Sequence, residues 1–372
     1  IFQEWRHLAV RDQAVGGVTL LKRSWSAAEA DGLIHPHPAP PERGEAIEVA
    51  PGILWARLPL PFRLDHINLY FLDDGDGWAI LDAGIASGAA REAWEALIAG
   101  PLSGRRLTRL IVSHAHPDHI GLAGWLAERF DIPLLTSQTA YLDCLALSLD
   151  PGRLEAKVYR DFYRHNGLDE ATNTQLSTMG HGYLRMITPL PVTFERLVAG
   201  DRLKIGGRDF AVLSGDGHAP EQIMLHDAAA RVFLAADQVL AKISPNVSVS
   251  PVDPNGDPLG LYLRSLKALR ESVAEEALIL PGHGLPFFGL HQRLDELVAH
   301  HAARCRALYE ACRAGPRAPA DLLKVLFPRD LDPHQMGFAF NELLAHINFM
   351  LREGTLAKAA PRGEAMRVVA AG

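Results

Sequence analysis

The run Ser113-His114-Ala115-His116-Pro117-Asp118-His119 constrains this chain more than any other feature. It follows the apolar run Leu107–Val112, which is bounded and composed like a buried strand. Three imidazoles and one carboxylate thus arrive together at the end of one strand. Imidazole and carboxylate are ligands for zinc, manganese or iron. An apolar core cannot hold that crowd, because several buried polar rings would lack partners. A divalent cation can. Pro117 argues against regular helix through the run, so the ligands are expected to splay around a turn.

Four other strand-like runs end in the same manner. Trp78–Leu81 is followed by Asp82, and Phe210–Leu213 leads into Gly215-Asp216-Gly217-His218. Val232–Ala235 is followed by Ala236-Asp237, and Ala277–Leu280 leads into Pro281-Gly282-His283-Gly284. Five buried strands therefore each deliver His or Asp at a C-terminal end, the edge where open α/β sheets place ligands. The glycines around His218 and His283 permit tight turns that aim a side chain inward. Asp82 reads either as a carboxylate orienting a ligand or as a turn acid after a strand.

Helical patterns lie between some strands. Ile120–Phe130 carries Leu122, Trp125, Leu126 and Phe130 on one side, and Leu259–Arg270 has the same spacing. The fold class is mixed α/β. With 372 residues the chain exceeds one comfortable core and divides in three. Residues 1–45 read as a poorly regular arm, in which the proline-rich His35–Pro41 stretch, with His37, is a surface connector. Residues 46–290 form the main domain, interrupted by a helical insertion at about 140–190 that carries Tyr141, Tyr159, Phe162, Tyr163, Tyr183 and Met186. These side chains could line a pocket for an acyl or aromatic group, but most are read as core of a small helical layer. Residues 291–372 predict three helices and a hairpin turning at Pro361-Arg362-Gly363, the order of a winged-helix module.

Composition narrows the function. With a net charge of −7, wholesale phosphate-backbone binding is disfavoured. Residues 291–360 hold nine Lys or Arg against eight Asp or Glu, a feeble nucleic-acid face. No run of 18 apolar residues exists to span a membrane. Three Cys exclude a disulfide-stapled scaffold, and Cys144, Cys305 and Cys312 read as inert. The first residue is Ile1 and not Met, so the true N-terminus can lie further upstream; the residues given show no signal-peptide pattern, and the expected location is cytoplasmic.

The HxHxDH run, with a later His, a later Asp and a final His in a Pro-Gly-His-Gly turn, resembles the metallo-β-lactamase-fold hydrolase superfamily. Leu81-Asp82-Ala83-Gly84 matches the first motif of that family. The C-terminal region is similar to the winged-helix extension of the β-lactamase-like protein 2 group. The resemblance implies an αββα sandwich with two metals at one edge. His114, His116 and His218 would hold the first ion, Asp118, His119 and His283 the second, and Asp237 would bridge them. Zinc is the first expectation, with iron or manganese as alternatives. The chain departs from the pattern at Ala219-Pro220-Glu221, where relatives usually carry a hydroxyl residue and a glycine.

The implied chemistry is hydrolysis by a bridging hydroxide at a dinuclear site. The expected substrate is a small ester or thioester of the acyl-CoA or glutathione thioester type, and Asp118 orients the nucleophile or relays its proton. Asp82 and Tyr183 join Asp118 as catalytic candidates, Tyr183 as an oxyanion donor. A lactonase is the nearest alternative, and a metal-dependent ribonuclease follows it. A metal-stabilised scaffold that binds a partner is the non-enzymatic reading. The expected partner is a small-molecule substrate, without nucleic acid or membrane, in a chain that packs its C-terminal module on the main domain or pairs as a homodimer.

Overall fold

The computed structural model describes residues 28–30, 32–150, 157–178, 181–363 and 365–371. The remainder of the arm, residues 1–27 and 31, lies outside them. Strand β1 (Ala28–Ala30) pairs antiparallel with β2 (Leu33–His35), and Ile34 bridges to Phe288. His35 is buried and its Nδ1 meets the Pro286 carbonyl at 3.0 Å. The surface-connector expectation therefore fails at His35, because a strand pairing holds this stretch against the main domain.

One sheet has seven strands in the order β3 (Ile47–Ala50), β4 (Ile53–Pro59), β5 (His66–Asp73), β6 (Gly77–Leu81), β7 (Arg106–Ile111), β8 (Leu134–Thr136) and β9 (Glu195–Arg196). The second has five: β10 (Arg202–Ile205), β11 (Arg208–Gly215), β12 (Gln222–Asp227), β13 (Val232–Ala236) and β14 (Leu278–Pro281). Pairing is parallel from β6 to β9 and between β13 and β14, and antiparallel elsewhere in both sheets.

Successive residues of a strand point to opposite faces, and that alternation builds the layers. From β4 to β6, Ile53, Trp55, Tyr70, Leu72, Ala79 and Leu81 enter a core shared with Val212, Ile223, Leu225, Leu234 and Leu280 of the other sheet. The intervening Ala56, Leu58, Leu69, Phe71 and Ile80 enter a second core. Helices α1 (Gly88–Ala99) and α3 (Ala123–Phe130) cover that face through Trp94, Leu97 and Leu126. On the far side, Phe233, Ala235 and Ile279 pack against α8 (Pro258–Ser272) and α9 (Leu290–Arg313). The result is helix, sheet, sheet, helix. Each large side chain buried in these layers is worth about 1.5–3 kcal/mol relative to exposure.

The ends of the helices are specified locally. Ser87 caps α1 by accepting the Ala90 N–H, and Asp257 caps α8 by accepting the Gly260 N–H. Pro117 behaves differently from expectation. It occupies the first position of a one-turn helix α2 (Pro117–Ile120), where its missing N–H has no bond to lose.

The insertion is helical as expected: α4 (Gln138–Leu149), α5 (Lys157–His165), α6 (Glu170–Thr178) and α7 (His181–Arg185). After α9 come α10 (Pro319–Leu326), α11 (Pro333–Arg352), and a hairpin of β15 (Leu356–Arg362) and β16 (Ala365–Ala370). This is the anticipated order of helices and hairpin. Phe340, Leu343, Leu344 and Ile347 of α11 join the core of α8 and α9. Asn348 also donates to the carbonyls of Pro254 and Gly256. The C-terminal elements are thus packed on the main domain.

Candidate metal centre

The expected ligands meet at one edge of the two sheets. Asp82 follows β6, the 113–119 run follows β7, His218 follows β11, Asp237 follows β13 and His283 follows β14. Three overlapping groups form there: His114 with His116 and His218, Asp118 with His119 and His283, and His114 with His119 and Asp237. Within each group the donor atoms lie within 4.8 Å of one another.

Asp237 sits between the first two groups. Its Oδ2 lies 3.5 Å from His218 Nε2, 3.4 Å from His119 Nε2 and 3.2 Å from His283 Nε2. Asp118 Oδ2 is 3.3 Å from His283 Nε2 and 3.7 Å from His119 Nε2. His114 Nε2 and His116 Nδ1 converge to 2.9 Å.

The backbone is shaped for this approach. Ala236, just before Asp237, has a φ of 45°, and Asp82 has a φ of 67°, both in the left-handed region. Gly282 allows β14 to close on the site. A Cβ there would stand 2.2 Å from Asp237 Oδ1 and 3.0 Å from His119 Cε1.

Four imidazoles have their other ring nitrogen engaged. His114 Nδ1 meets Ser113 Oγ at 2.9 Å, and His119 Nδ1 meets Asp82 Oδ2 at 2.8 Å. His218 Nδ1 donates to the Asn246 carbonyl at 2.8 Å, and His283 Nδ1 to the His66 carbonyl at 2.7 Å. A donating Nδ1–H leaves Nε2 with a lone pair, which is the form a cation needs. His119 Nε2, His218 Nε2 and Asp237 Oδ1 are buried without a hydrogen-bond partner. Unpartnered buried donors of this kind fit a divalent ion, and the imidazole and carboxylate set suits zinc, iron or manganese.

The electrostatics agree. Burial, reinforced by neighbouring rings, holds His114 well below its ordinary value and pushes His116 down to about 3. Burial opposes charge on His283, yet Asp237 and Asp118 raise it to about 10. His119 is likewise raised against its burial by Asp237, Asp82 and Asp118. Burial alone would favour protonated Asp118 and Asp237, but the facing His119 and His283 hold both carboxyls below their ordinary range. Without a cation, protons on His119 and His283 thus neutralise the two carboxylates.

Two catalytic candidates take different roles. Asp82 accepts the Ser113 N–H at 2.8 Å, the Ser113 hydroxyl at 2.9 Å and His119 Nδ1 at 2.8 Å. It orients His119 and is absent from the converging donors. The Tyr183 hydroxyl donates to the Ala115 carbonyl at 2.7 Å, so its proton braces the ligand loop. Burial, with Cys144 beside it, keeps that phenol protonated. Both meet the ligand run through hydrogen bonds. The core reading of the insertion aromatics holds for Tyr141, Phe162 and Tyr163. Tyr141 stacks on Phe194 and donates to the Pro191 and Val192 carbonyls, while Phe162 and Tyr163 lie in the core with Phe340. A cavity bordered by Val158, Phe162, Leu344, Arg352 and Lys358 shares no residue with the metal donors.

Ser113, His66 and Asn246 were not singled out from the sequence. Ser113 links Asp82 to His114, and the other two act through main-chain carbonyls, which leave no mark in the residue type. Cys144, Cys305 and Cys312 are buried free thiols, and burial pushes Cys305 up to about 12, which fits the inert reading.

Residues 63–283 match the model of the metallo-beta-lactamase superfamily, and residues 305–370 match that of the metallo-beta-lactamase-like C-terminal domain. A beta-lactamase domain protein from Burkholderia ambifaria is 38% identical, with TM-score 0.84 over 91% of this chain and 98% of its own. A metallo-beta-lactamase family protein from Thermus thermophilus is 28% identical, with TM-score 0.73 over 87% of this chain and 100% of its own. A Bacillus subtilis (strain 168) protein named "Probable metallo-hydrolase YqjP" is 23% identical over 81% of this chain and 92% of its own.

Proposed function

The chain belongs to the metallo-beta-lactamase superfamily, and from that premise we propose that it is a dinuclear metallohydrolase of small esters or thioesters, of the acyl-CoA or glutathione type. The observation that carries the reading is Asp237 Oδ2, shared among His218, His119 and His283 at 3.2–3.5 Å. One carboxylate oxygen facing both halves of the cluster suits a pair of cations better than one. His114, His116 and His218 would hold the first ion, Asp118, His119 and His283 the second, and Asp237 would face both. Zinc is the ion proposed. Bound there, the cations supply activation of water at neutral pH and polarisation of the acyl carbonyl.

The protein residues do the rest. Side-chain exposure is 20% for Asp118 but 7% for Asp237, 3% for His283 and 0% for His119. Asp118 is therefore the carboxylate that an entering water meets, and it orients that water and takes its proton. Asp82 holds His119 in the ligating tautomer, and Ser113 carries the same constraint to His114. Tyr183 fixes the backbone between the first two ligands. The acidic overall charge and the helices packed on the main domain favour a small substrate over RNA. The reading carries a cytoplasmic location, in keeping with the free thiols.

The test is thiol release from a panel of acyl-CoA and acyl-glutathione thioesters by zinc-reconstituted protein. Turnover abolished by EDTA and by Asp118→Ala supports the proposal. No metal-dependent turnover on thioesters, simple esters or lactones would overturn it.

A further inference from the structure

A second group of donors lies between α9 and α11 and shares no residue with the catalytic cluster. His300, His301 and Glu342 bring one donor atom each to within 4.8 Å of one another. We infer that these residues form a separate site for a zinc-class divalent cation within the C-terminal module.

Hydrogen-bond direction fixes the chemistry. His346 Nδ1–H donates to the main-chain carbonyl of Glu342 at 2.8 Å, so His346 Nε2 carries a lone pair. That nitrogen lies 3.1 Å from His301 Nδ1, which must then be the N–H of its ring. His301 Nε2 is left with a lone pair. It belongs to a side chain that is 0% exposed, and it has no partner. His300 Nε2 is likewise buried and without one. A lone pair sealed from water and facing no donor is costly unless something accepts it. Two imidazole nitrogens and a carboxylate oxygen form a three-ligand set of the kind zinc takes.

Glu342 serves this site with a competitor beside it. Arg304 donates to Oε1, and Asn246 Nδ2 lies 3.3 Å from Oε2. The Arg304 guanidinium repels a cation and lowers the affinity of the site. The Asn246 main-chain carbonyl also accepts His218 Nδ1–H, so one residue touches both centres. The site therefore fastens α11 to α9 directly behind a ligand of the catalytic cluster.

The experiment is a zinc count per full-length chain by elemental analysis, after reconstitution and desalting. The wild type is expected to hold one more ion than His300→Ala, a variant at the rim of the site whose fold is checked by circular dichroism. Arg304→Met, which removes the competing charge, should tighten that ion by roughly tenfold or more in a chelator competition. Equal counts in wild type and His300→Ala, or zinc binding no tighter in Arg304→Met, would overturn the inference. The outcome is separable from the catalytic reading. If the catalytic cluster held no zinc, the wild-type count would be one and that of His300→Ala none.

Discussion

Asp82→Asn isolates the link between sheet geometry and metal affinity. The Asp82 carboxylate is 3% exposed and accepts three hydrogen bonds, each between 2.8 and 2.9 Å. Its φ of 67° is one that Asn also adopts readily, so the backbone is not perturbed. The carboxamide retains one acceptor for the Ser113 N–H. It presents N–H where Oδ2 faced His119 Nδ1. Two donors cannot face each other, so the neutral His119 ring keeps its proton on Nε2, the atom that points at Asp237 and Asp118. Ligation then requires the ring to reverse that tautomer. Loss of such an orienting partner costs about 10–100-fold in metal affinity, or roughly 1.4–2.8 kcal/mol. Competition with a chromophoric chelator would read the affinities of the individual ions. The ion bound through His119 should weaken by that factor, and the one held by His114, His116 and His218 by less, because Asp82 reaches His114 only through Ser113. Unchanged affinity for every ion would refute the assignment of Asp82 as the residue that orients His119.

Further expectations follow from the same geometry. Gly282→Ala forces a methyl group against Asp237 and His119 and should cost at least about tenfold in metal affinity, read by the same competition. Tyr183→Phe removes a brace worth about 1 kcal/mol, so kcat should fall by less than about tenfold; a loss of about 10²–10³ would restore Tyr183 as an oxyanion donor. The pH dependence of the metal-free protein has a definite sign. His283 is raised to about 10 against an ordinary 6.5, so the folded chain keeps a proton that the unfolded chain releases. Its contribution is complete below pH 6.5 and drains away as pH climbs through about 10. Melting of EDTA-treated protein should therefore fall across that range, and zinc-loaded protein, in which cations replace those protons, should hold its melting temperature.

The ligand run was legible because so many adjacent polar rings have no apolar alternative, and Asp237 because it ends a strand beside others that deliver ligands. Strands such as Trp78–Leu81 and Val232–Ala235 announced themselves by unbroken apolar runs. Strand β12 did not, because Gln222, His226 and Asp227 are polar residues within a segment buried on both faces. Pro117 misled because a helix-breaking residue is also a helix-starting one. The supporting shell was hidden for a different reason. Ser113, His66 and Asn246 act through a hydroxyl and two carbonyls whose direction only the fold decides. The His300, His301 and Glu342 group is spread over two helices and joined only by their packing. The insertion aromatics were open between core and pocket because the two share a composition, and packing against Phe194 and Phe340 places Tyr141 and Tyr163 in the core, while Phe162 also borders a cavity.

One edge of the sandwich is proposed to hold two cations around Asp237. Anomalous diffraction at the zinc edge, on crystals of the reconstituted protein, tests it most directly. Two peaks about 3.5–4 Å apart are expected, with the Asp237 carboxylate between them. One peak in the cluster, or none, would contradict it.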